Sequence, residues 1–590
     1  MRTLFTIALF TLCFNNLPVK AQAINEKSKH LDSLFNAYYE EGLRLSPLFA
    51  TLYGDNRYND QLPAEFTDSY NSTNKNYYSR YLSALSKIKR QNLSETDRLS
   101  YDILLWEIKI KLEGLSLKSN RMPFNQFESV PLVLGQAGSG SFVQPFKTVT
   151  DYNNWIKRVT GFAAWTDSAI IYFRTGIAEG IVLPKVLVEK MITQMNSFVV
   201  ADPTKSVFYG PITNLPGTFS EIEKQQLTHA YIKMINEQLV PTYKKLGNFL
   251  QTEYLPKSRA SSGLAAIPGG DDLYKYNLRL ITTTNISAEE IYTTGLAEIA
   301  RITGEMEKLR LASGFEGDLK AFRKSLSTDP KYFPYKTPEE VLAAYKAIQH
   351  KIEPNLHTIF LKKPKTPFEV RQTEAFRAAT ASAQYIPGLA DGSRPGIFYI
   401  PIIDATKSPL AAETLFAHEA IPGHHYQTML QYENMDLPPF RRNKKVIAFS
   451  EGWGLYSESL GKDIGLYKDV YQQMRNLSAE LHRAVRLVVD PGIHQKGWTR
   501  EQAIQYMVEH GNGNERGATA EVERYMAIPG QAVAYKVGEM KLLELRKKYE
   551  KQLGANFNIA EFHDQILKDG AIPLDILDAK MEAWAKKKRK

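Results

Sequence analysis

The sequence predicts a mainly α-helical fold of two lobes, with a small β-sheet. Apolar residues recur at spacings of three and four, as Leu31, Leu34 and Tyr38 do near the start of the chain, which places them on one face of a helix. The stretch Ile397–Ile400 is instead continuously apolar and is followed by Pro401, which is typical of a strand at the edge of a sheet. The length of 590 residues exceeds what one hydrophobic core usually fills, so two lobes are expected.

Helical periodicity covers several long segments. Capping boxes, Ser287–Glu290 and Thr337–Glu340, begin two of the predicted helices. The predicted helical segments are residues 27–110, 151–198 with a break at Leu183-Pro184, 221–254, 288–313 and 338–351.

Three segments rich in proline and glycine lack this periodicity. Residues 118–150 and 201–220 are predicted to be long loops, and residues 255–272 contain Pro268-Gly269-Gly270. The last of these is the predicted boundary between the two lobes.

The N-terminus has the pattern of a signal peptide. Arg2 precedes the apolar run Leu4–Phe14, and Ala21-Gln22-Ala23 provides a cleavage site, so residues 1–23 are predicted to be removed. Cys13 follows Leu12 rather than a small residue, which disfavours a lipoprotein signal. No later apolar run approaches 18 residues, so residues 24–590 are predicted to be exported without a membrane anchor, to the periplasm or outside the cell.

Composition narrows the possible chemistry. Hydrophobic residues make up 43% of the chain and charged residues 23%, as in ordinary globular proteins. Cleavage removes the only cysteine, so any metal ligands must be histidines and carboxylates. The formal net charge is +10, but part of it is a solvated tail at residues 586–590, and nucleic-acid binding is not predicted. No pattern in the chain indicates an oligomeric state.

The stretch His418–His425 is a candidate metal site. Imidazoles supply nitrogen ligands for zinc, and the adjacent Glu419 can take a proton from a water that the metal activates. In the common H-E-x-x-H motif the second histidine follows at i+4, but that position is Pro422 here. The alternative interpretation is a helix that stops at Pro-Gly, with histidines on the surface.

Helix geometry decides what a shared metal would require. In a regular helix His424 would point roughly 240° away from His418, and His425 would lie about 10 Å further along the same face. Pro422 and Gly423 are expected to bulge the helix, which would bring a second histidine to the metal. Spacing alone leaves both His424 and His425 open as the second ligand.

An acidic motif downstream completes the predicted ligand set. Glu451 lies 27 residues after His424, as the third ligand does in glutamate-type zinc peptidases. Glu458 follows at i+7 on the same helical face, so it is expected to orient a histidine.

These motifs resemble the bacterial DUF885 family, whose signature is H-E-x-x-P-G-H followed by S-E-G-W. The further matching stretches are Pro387-Gly388, Asp391–Tyr399, Arg483–His494, Glu523–Ala532 and Tyr535–Gly538. The resemblance extends back to about residue 30 and implies a zinc-dependent peptidase. It also favours His424 over His425 as the second ligand, because Pro-Gly-His is the fixed part of the family pattern.

Other residues in these motifs are candidates for substrate chemistry. His494 and Tyr535 could stabilise an oxyanion, and Asp490 could orient His494. Arg486, Arg524 and Lys536 could hold a substrate carboxylate, or each could form a structural ion pair. The strand carrying Tyr399 could bind a substrate backbone by strand addition.

The sequence therefore predicts a secreted zinc peptidase acting on oligopeptides, with one zinc per chain and Glu419 as general base. A zinc amidohydrolase acting on a non-peptide or cell-wall amide would use the same residues. A non-enzymatic periplasmic binding protein is the third hypothesis, which the presence of His418, Glu419, His424 and Glu451 disfavours.

Overall fold

The computed structural model describes residues 18–373, 382–511 and 514–589, and only the backbone for residues 18–30. The prediction of a mainly helical fold with a small sheet is confirmed. The helices are α1 (Pro18–Leu45), α2 (Pro47–Leu52), α3 (Asp68–Ser86), α4 (Glu95–Gly114), α5 (Val130–Gly138), α6 (Val149–Glu179), α7 (Lys185–Ser197), α8 (Gly210–Thr213), α9 (Glu221–Met234), α10 (Val240–Phe249), α11 (Gly270–Thr282), α12 (Ala288–Ala312), α13 (Leu319–Thr328), α14 (Pro338–Ile359), α15 (Glu413–Glu419), α16 (His424–Tyr432), α17 (Pro439–Arg442), α18 (Ile447–Ser459), α19 (Val470–His494), α20 (Arg500–His510), α21 (Glu515–Ala527), α22 (Ala534–Leu553), α23 (Ile559–Leu567) and α24 (Leu574–Lys588).

The structure describes only the last part of the predicted signal peptide. Residues 1–17, which include most of the predicted signal peptide, lie outside the described residues. The predicted cleavage site after Ala23 falls within α1. Within the described ranges, none of the helices carries an apolar stretch long enough to cross a bilayer.

The sheet has three strands, β1 (Phe368–Gln372), β2 (Gln384–Ile386) and β3 (Gly396–Ile400), in the order β1-β3-β2. β3 is parallel to β1 and antiparallel to β2. The prediction that Ile397–Ile400 is an edge strand is therefore wrong, because both sides of β3 are paired. Pro401 follows the last paired residue, so its missing N–H costs no hydrogen bond in the ladder.

Buried apolar residues between Phe124 and Tyr254 form a core of their own, carried mainly by α6, α7, α9 and α10. A larger core joins α1, α3, α4 and α14 to the sheet and to the C-terminal helices. A third, around α19 and α21, packs beside α12. The first of these cores ends next to residues 255–272, where the lobe boundary was predicted.

The helices of the structure differ from those predicted from the sequence in two places. The predicted loop at 118–150 contains α5, in which Leu134 and Ala137 are fully buried, so burial offsets the low helix propensity of its glycines. The helix that begins at Thr337 continues past residue 351 to Ile359, through Pro354. The predicted helix at 221–254 is confirmed as α9, α10 and two short π-helical segments.

Two helices that carry functional candidates cross at very close range. α18 and α22 meet where Gly452 faces Gly538, and a Cβ on Gly538 would lie 1.9 Å from the Ala448 carbonyl oxygen. This contact fixes α18, which bears the glutamates of the predicted site, against α22, which bears Tyr535.

Candidate metal centre

The predicted bulged helix is instead two helices. α15 ends at Glu419 and α16 begins at His424, with Ala420–Gly423 between them. The break is held by hydrogen bonds from the Trp453 indole to the Pro422 carbonyl (2.9 Å) and from the His425 amide to the Ala420 carbonyl (3.1 Å). A side chain at Gly423 would lie 1.8 Å from the His418 carbonyl oxygen, so the tight turn requires glycine.

The break brings three ligand atoms together. Glu451 Oε2 lies 3.6 Å from His418 Nε2 and 3.5 Å from His424 Nε2. The three atoms lie within 4.8 Å of one another and form the one cluster of metal-binding geometry among the described residues. The structure thus unites His418, His424 and Glu451, the set that the sequence predicted.

The two imidazoles and the carboxylate are unequally exposed. The His418 side chain is 3% exposed, whereas those of His424 and Glu451 are 16% and 23% exposed. The cluster is therefore buried on one side and accessible on the other. Burial raises the pKa of Glu451, but hydrogen bonds from His418 and His424 outweigh it and hold the pKa well below its usual range.

Glu458, which was expected to orient a histidine, is hydrogen-bonded to His418. Its Oε1 accepts a hydrogen bond from His418 Nδ1 at 2.8 Å, and its Oε2 accepts one from the Thr414 hydroxyl at 2.7 Å. Burial alone would lower the pKa of His418, but the bonds to Glu451 and Glu458 raise it to about 9. This carboxylate fixes the ring so that Nε2 points to the cluster.

Glu419 is held by the sheet. The backbone N–H of Tyr385 in β2 donates to Glu419 Oε2 at 3.1 Å, so the outer edge of β2 faces this carboxylate. The Tyr385 hydroxyl in turn bonds to His425 Nδ1 at 2.9 Å. Burial lowers the pKa of His425 to about 4, which keeps its ring neutral at pH 7. His425 thus braces β2, and it is not part of the ligand cluster.

His494 does not reach the cluster. It is fully buried, its Nδ1 accepts a hydrogen bond from the Leu264 amide (3.2 Å), and its Nε2 bonds to the Tyr525 carbonyl (3.0 Å). Both ring nitrogens are hydrogen-bonded to backbone groups, which favours a structural role for His494. Asp490 does not orient His494; it accepts hydrogen bonds from the Tyr274 hydroxyl and the Gly530 amide.

Tyr535 does lie beside the cluster. Its ring is nearly parallel to that of His418, with centroids 6.5 Å apart. The Arg486 guanidinium carbon stands 4.7 Å from the centroid of the Tyr535 ring. Of the two oxyanion candidates, the structure brings only Tyr535 to the metal cluster.

The substrate-binding candidates lie in three different environments. Arg486 and Arg524 share the carboxylate of Glu521 next to Tyr535. Lys536 is fully buried and contacts Glu298, Glu480 and Glu539, so it is a structural ion-pair residue. Tyr399 lies in β3, where Arg371 and Gln384 flank it on the two neighbouring strands, and its backbone cannot serve as a free edge.

Sequence reasoning missed Tyr385, Thr414, Glu521 and Gln531. Tyr385, Thr414 and Glu521 act through contacts with residues distant in the chain, so no spacing rule links them to their partners. Gln531 instead bonds to Arg524, seven residues earlier, within the matching stretch Glu523–Ala532. Tyr385 lies two residues before Pro387-Gly388, which was the only available signal for it.

Fold and site together define a mainly helical protein with a candidate two-histidine, one-glutamate metal centre. The chain belongs to the family described as "Bacterial protein of unknown function (DUF885)", whose model matches residues 47–581. None of the curated proteins matches the chain.

Two solved structures are similar along nearly the whole chain. One is "the putative lipoprotein from Colwellia psychrerythraea", at 28% identity and TM-score 0.86, covering 95% of this chain and 99% of that one. The other is "a putative lipoprotein of unknown function from Shewanella oneidensis", at 18% identity and TM-score 0.71, covering 94% and 99%. The second similarity concerns the fold alone.

Proposed function

We propose that this protein is a zinc-dependent hydrolase, and specifically a peptidase that cleaves oligopeptides. The observation that carries the proposal is the convergence of His418 Nε2, His424 Nε2 and Glu451 Oε2. Two imidazole nitrogens and one carboxylate oxygen are a donor set that suits zinc, and three protein ligands are typical of catalytic rather than structural sites. The accessible side of the cluster, at His424 and Glu451, is where a substrate would enter.

Each residue around the cluster then has a role. Zinc held by these ligands would supply Lewis-acid chemistry, activating a water molecule and polarising the scissile carbonyl. Glu419 would take the proton from the attacking water and deliver it to the leaving amine. Glu458 keeps His418 oriented, and Tyr535 would donate a hydrogen bond to the developing oxyanion.

The sheet supports a peptide substrate in particular. The outer edge of β2 faces Glu419 through the Tyr385 amide. An extended peptide that added to this edge would run past the general base. This corrects the expectation that β3 performs that role.

The proposal is tested with purified protein and the Glu419→Gln variant. We expect one zinc per chain in both, measured by elemental analysis, and hydrolysis of unstructured peptides by the parent only. Glu419→Gln removes the base and spares the ligands. A parent protein that binds no zinc would contradict the metal centre, and zinc without cleavage of any peptide, with blocked or free termini, would contradict the peptidase.

We propose in addition that the protein is exported. Both similar structures carry the description "putative lipoprotein", but Leu12 before Cys13 favours cleavage after Ala23 here. Intact-mass measurement of exported protein should give a chain beginning at Ile24. Retention of Met1, or a lipid on Cys13, would contradict this.

A further inference from the structure

A hydrogen-bonded cluster beside Tyr535 joins α19 and α21 to the short turn that precedes α22. We call it the arginine cluster; it consists of His482, Arg486, Glu521, Arg524, Tyr525 and Gln531. Glu521 Oε2 lies 2.9 Å from Arg486 Nη2 and 3.1 Å from Arg524 Nη2, and it also accepts the Tyr525 hydroxyl. Gln531 Oε1 accepts from Arg524 Nη1 at 2.9 Å.

The charges in this cluster do not balance. Two guanidinium groups share one carboxylate. Burial together with Arg486 lowers the pKa of His482 to about 4, so that ring is neutral at pH 7 and does not change the balance. Asp490 also faces Arg524, but burial raises its pKa to about 7 and its oxygens are engaged by Tyr274 and Gly530. A positive surplus in a largely buried place is unfavourable unless an anion completes it.

Lys536 provides the contrast within the same protein. Its ammonium is fully buried and is surrounded by three carboxylates, which offset its charge. In the arginine cluster the side chains of His482 and Glu521 remain 26% and 28% exposed, and that of Arg524 is 15% exposed. The Arg486 side chain itself is 9% exposed. The cluster thus has more positive charge than its partners offset, and it is only partly open to solvent.

The arginine cluster lies close to the candidate metal centre. Arg486 lies over the Tyr535 ring at 4.7 Å, and that ring is 6.5 Å from the His418 ring. The distance from guanidinium to imidazole is therefore no greater than these two lengths combined. An extended peptide advances about 3.4 Å per residue, so a group held at Arg486 lies within about three residues of the bond at the metal.

We propose that the arginine cluster binds the C-terminal carboxylate of the peptide substrate, so that cleavage occurs within about three residues of the C-terminus. The inference rests on the proposed peptidase function. Among the described contacts of Arg486, Nε and Nη2 are occupied by Tyr525, His482 and Glu521, and the two N–H groups of Nη1 are the donors that remain. A carboxylate matches such planar donors.

Peptide binding to the Glu419→Gln variant tests the proposal without hydrolysis. The probes are acetyl-Ala-Ala-Ala, its C-terminal amide, and the amide of acetyl-Ala-Asp-Ala, which carries a carboxylate on a side chain only. Calorimetric titration should give an affinity for the free acid at least tenfold higher than for either amide. Equal affinity for acid and amide, or no binding of any probe, would overturn the inference, and a preference for the aspartyl amide would assign the cluster to side-chain carboxylates instead.

Variants of Gln531, made in the Glu419→Gln protein, test whether the preference for the free acid arises at the arginine cluster. Gln531→Glu places a carboxylate against Arg524 and should abolish the preference for the free acid, whereas the uncharged Gln531→Met should retain it. Arg174→Gln, which removes an arginine from an exposed ion pair with Glu253, is the control, because it lowers the net charge of the protein by one, as Gln531→Glu does. An unchanged preference in Gln531→Glu would contradict the assignment.

The two proposals fail in different ways. If the free acid binds preferentially but the parent cleaves no peptide, the peptidase function fails and the anion site stands as a binding site. If the parent cleaves acid and amide peptides equally well, the peptidase stands and the carboxylate site fails.

Discussion

Gly454 lies directly against the imidazole ring of His418. A Cβ at this position would be 2.7 Å from Cε1 and 2.9 Å from Nε2 of that ring, closer than real side-chain contacts allow. Glu458 holds the same ring from the Nδ1 side at 2.8 Å. The imidazole thus lies between the Glu458 carboxylate and the backbone of Gly454, with no room for a side chain at position 454. This explains the second glycine of the Ser-Glu-Gly-Trp-Gly motif.

Gly454→Ala should therefore weaken zinc binding without touching a ligand. The methyl group must displace the His418 ring, and misdirected ligands typically cost about 10- to 100-fold in metal affinity. Competition with a chelator measures the change. Gly304→Ala is the matched control, because Gly304 in α12 has open space where its Cβ would stand; helix propensity predicts a gain of up to about 1 kcal/mol there. Equal zinc affinity in both variants would show that the ring is free to move.

The second histidine is tested by a pair of variants at adjacent positions. His424→Ala should abolish zinc binding, because it removes one of three ligand atoms. His425→Ala should leave the metal bound, because that ring bonds to Tyr385 instead. Zinc stoichiometry on the purified variants shows which histidine is the second ligand. Loss of metal only in His425→Ala would identify His425 instead of His424.

Tyr385→Phe should lower turnover and leave zinc in place. The substitution keeps the amide that holds Glu419 but removes the hydroxyl that bonds to His425, so β2 loses one hydrogen bond beside the proposed general base. We expect kcat to fall by roughly threefold to tenfold, since one hydrogen bond contributes on the order of 1 kcal/mol. Tyr70→Phe, which loses a hydrogen bond to the Leu45 carbonyl, is the control and should keep the parent kcat. A similar fall in both variants would indicate a general loss of stability.

Asp490 should make the protein less stable as the pH rises from 4 to 7. Burial raises the pKa of its carboxyl from 3.8 to about 7, although hydrogen bonds from Tyr274 and Gly530 oppose this. In this window the folded state binds the proton more tightly than the unfolded state, so unfolding free energy falls with increasing pH, by at most about 1.4 kcal/mol per unit. Asp490→Asn should flatten this dependence, seen as a melting temperature that changes less than the parent's between pH 4.5 and 7. Parallel curves for the two proteins would mean that Asp490 has an ordinary pKa.

Sequence alone was sufficient for many of the helices, through apolar periodicity and capping boxes, as at Ser287, where the predicted box is formed. It was not sufficient for α5, which lies in a predicted loop. Residue type limited the candidate ligands to histidines and carboxylates, the donors that zinc prefers. Spacing alone left both His424 and His425 open, and the family resemblance favoured His424.

Tertiary structure decided how those ligands meet and what surrounds them. The prediction of one bulged helix was wrong because Trp453, 31 residues beyond Pro422, holds the break open between α15 and α16. His494 faces Leu264 and Tyr525, and Tyr385 reaches Glu419, through contacts that span 31 to 230 residues. Periodicity reports which face of an element is buried but not which distant element covers it, so these pairings are determined by packing of the whole chain.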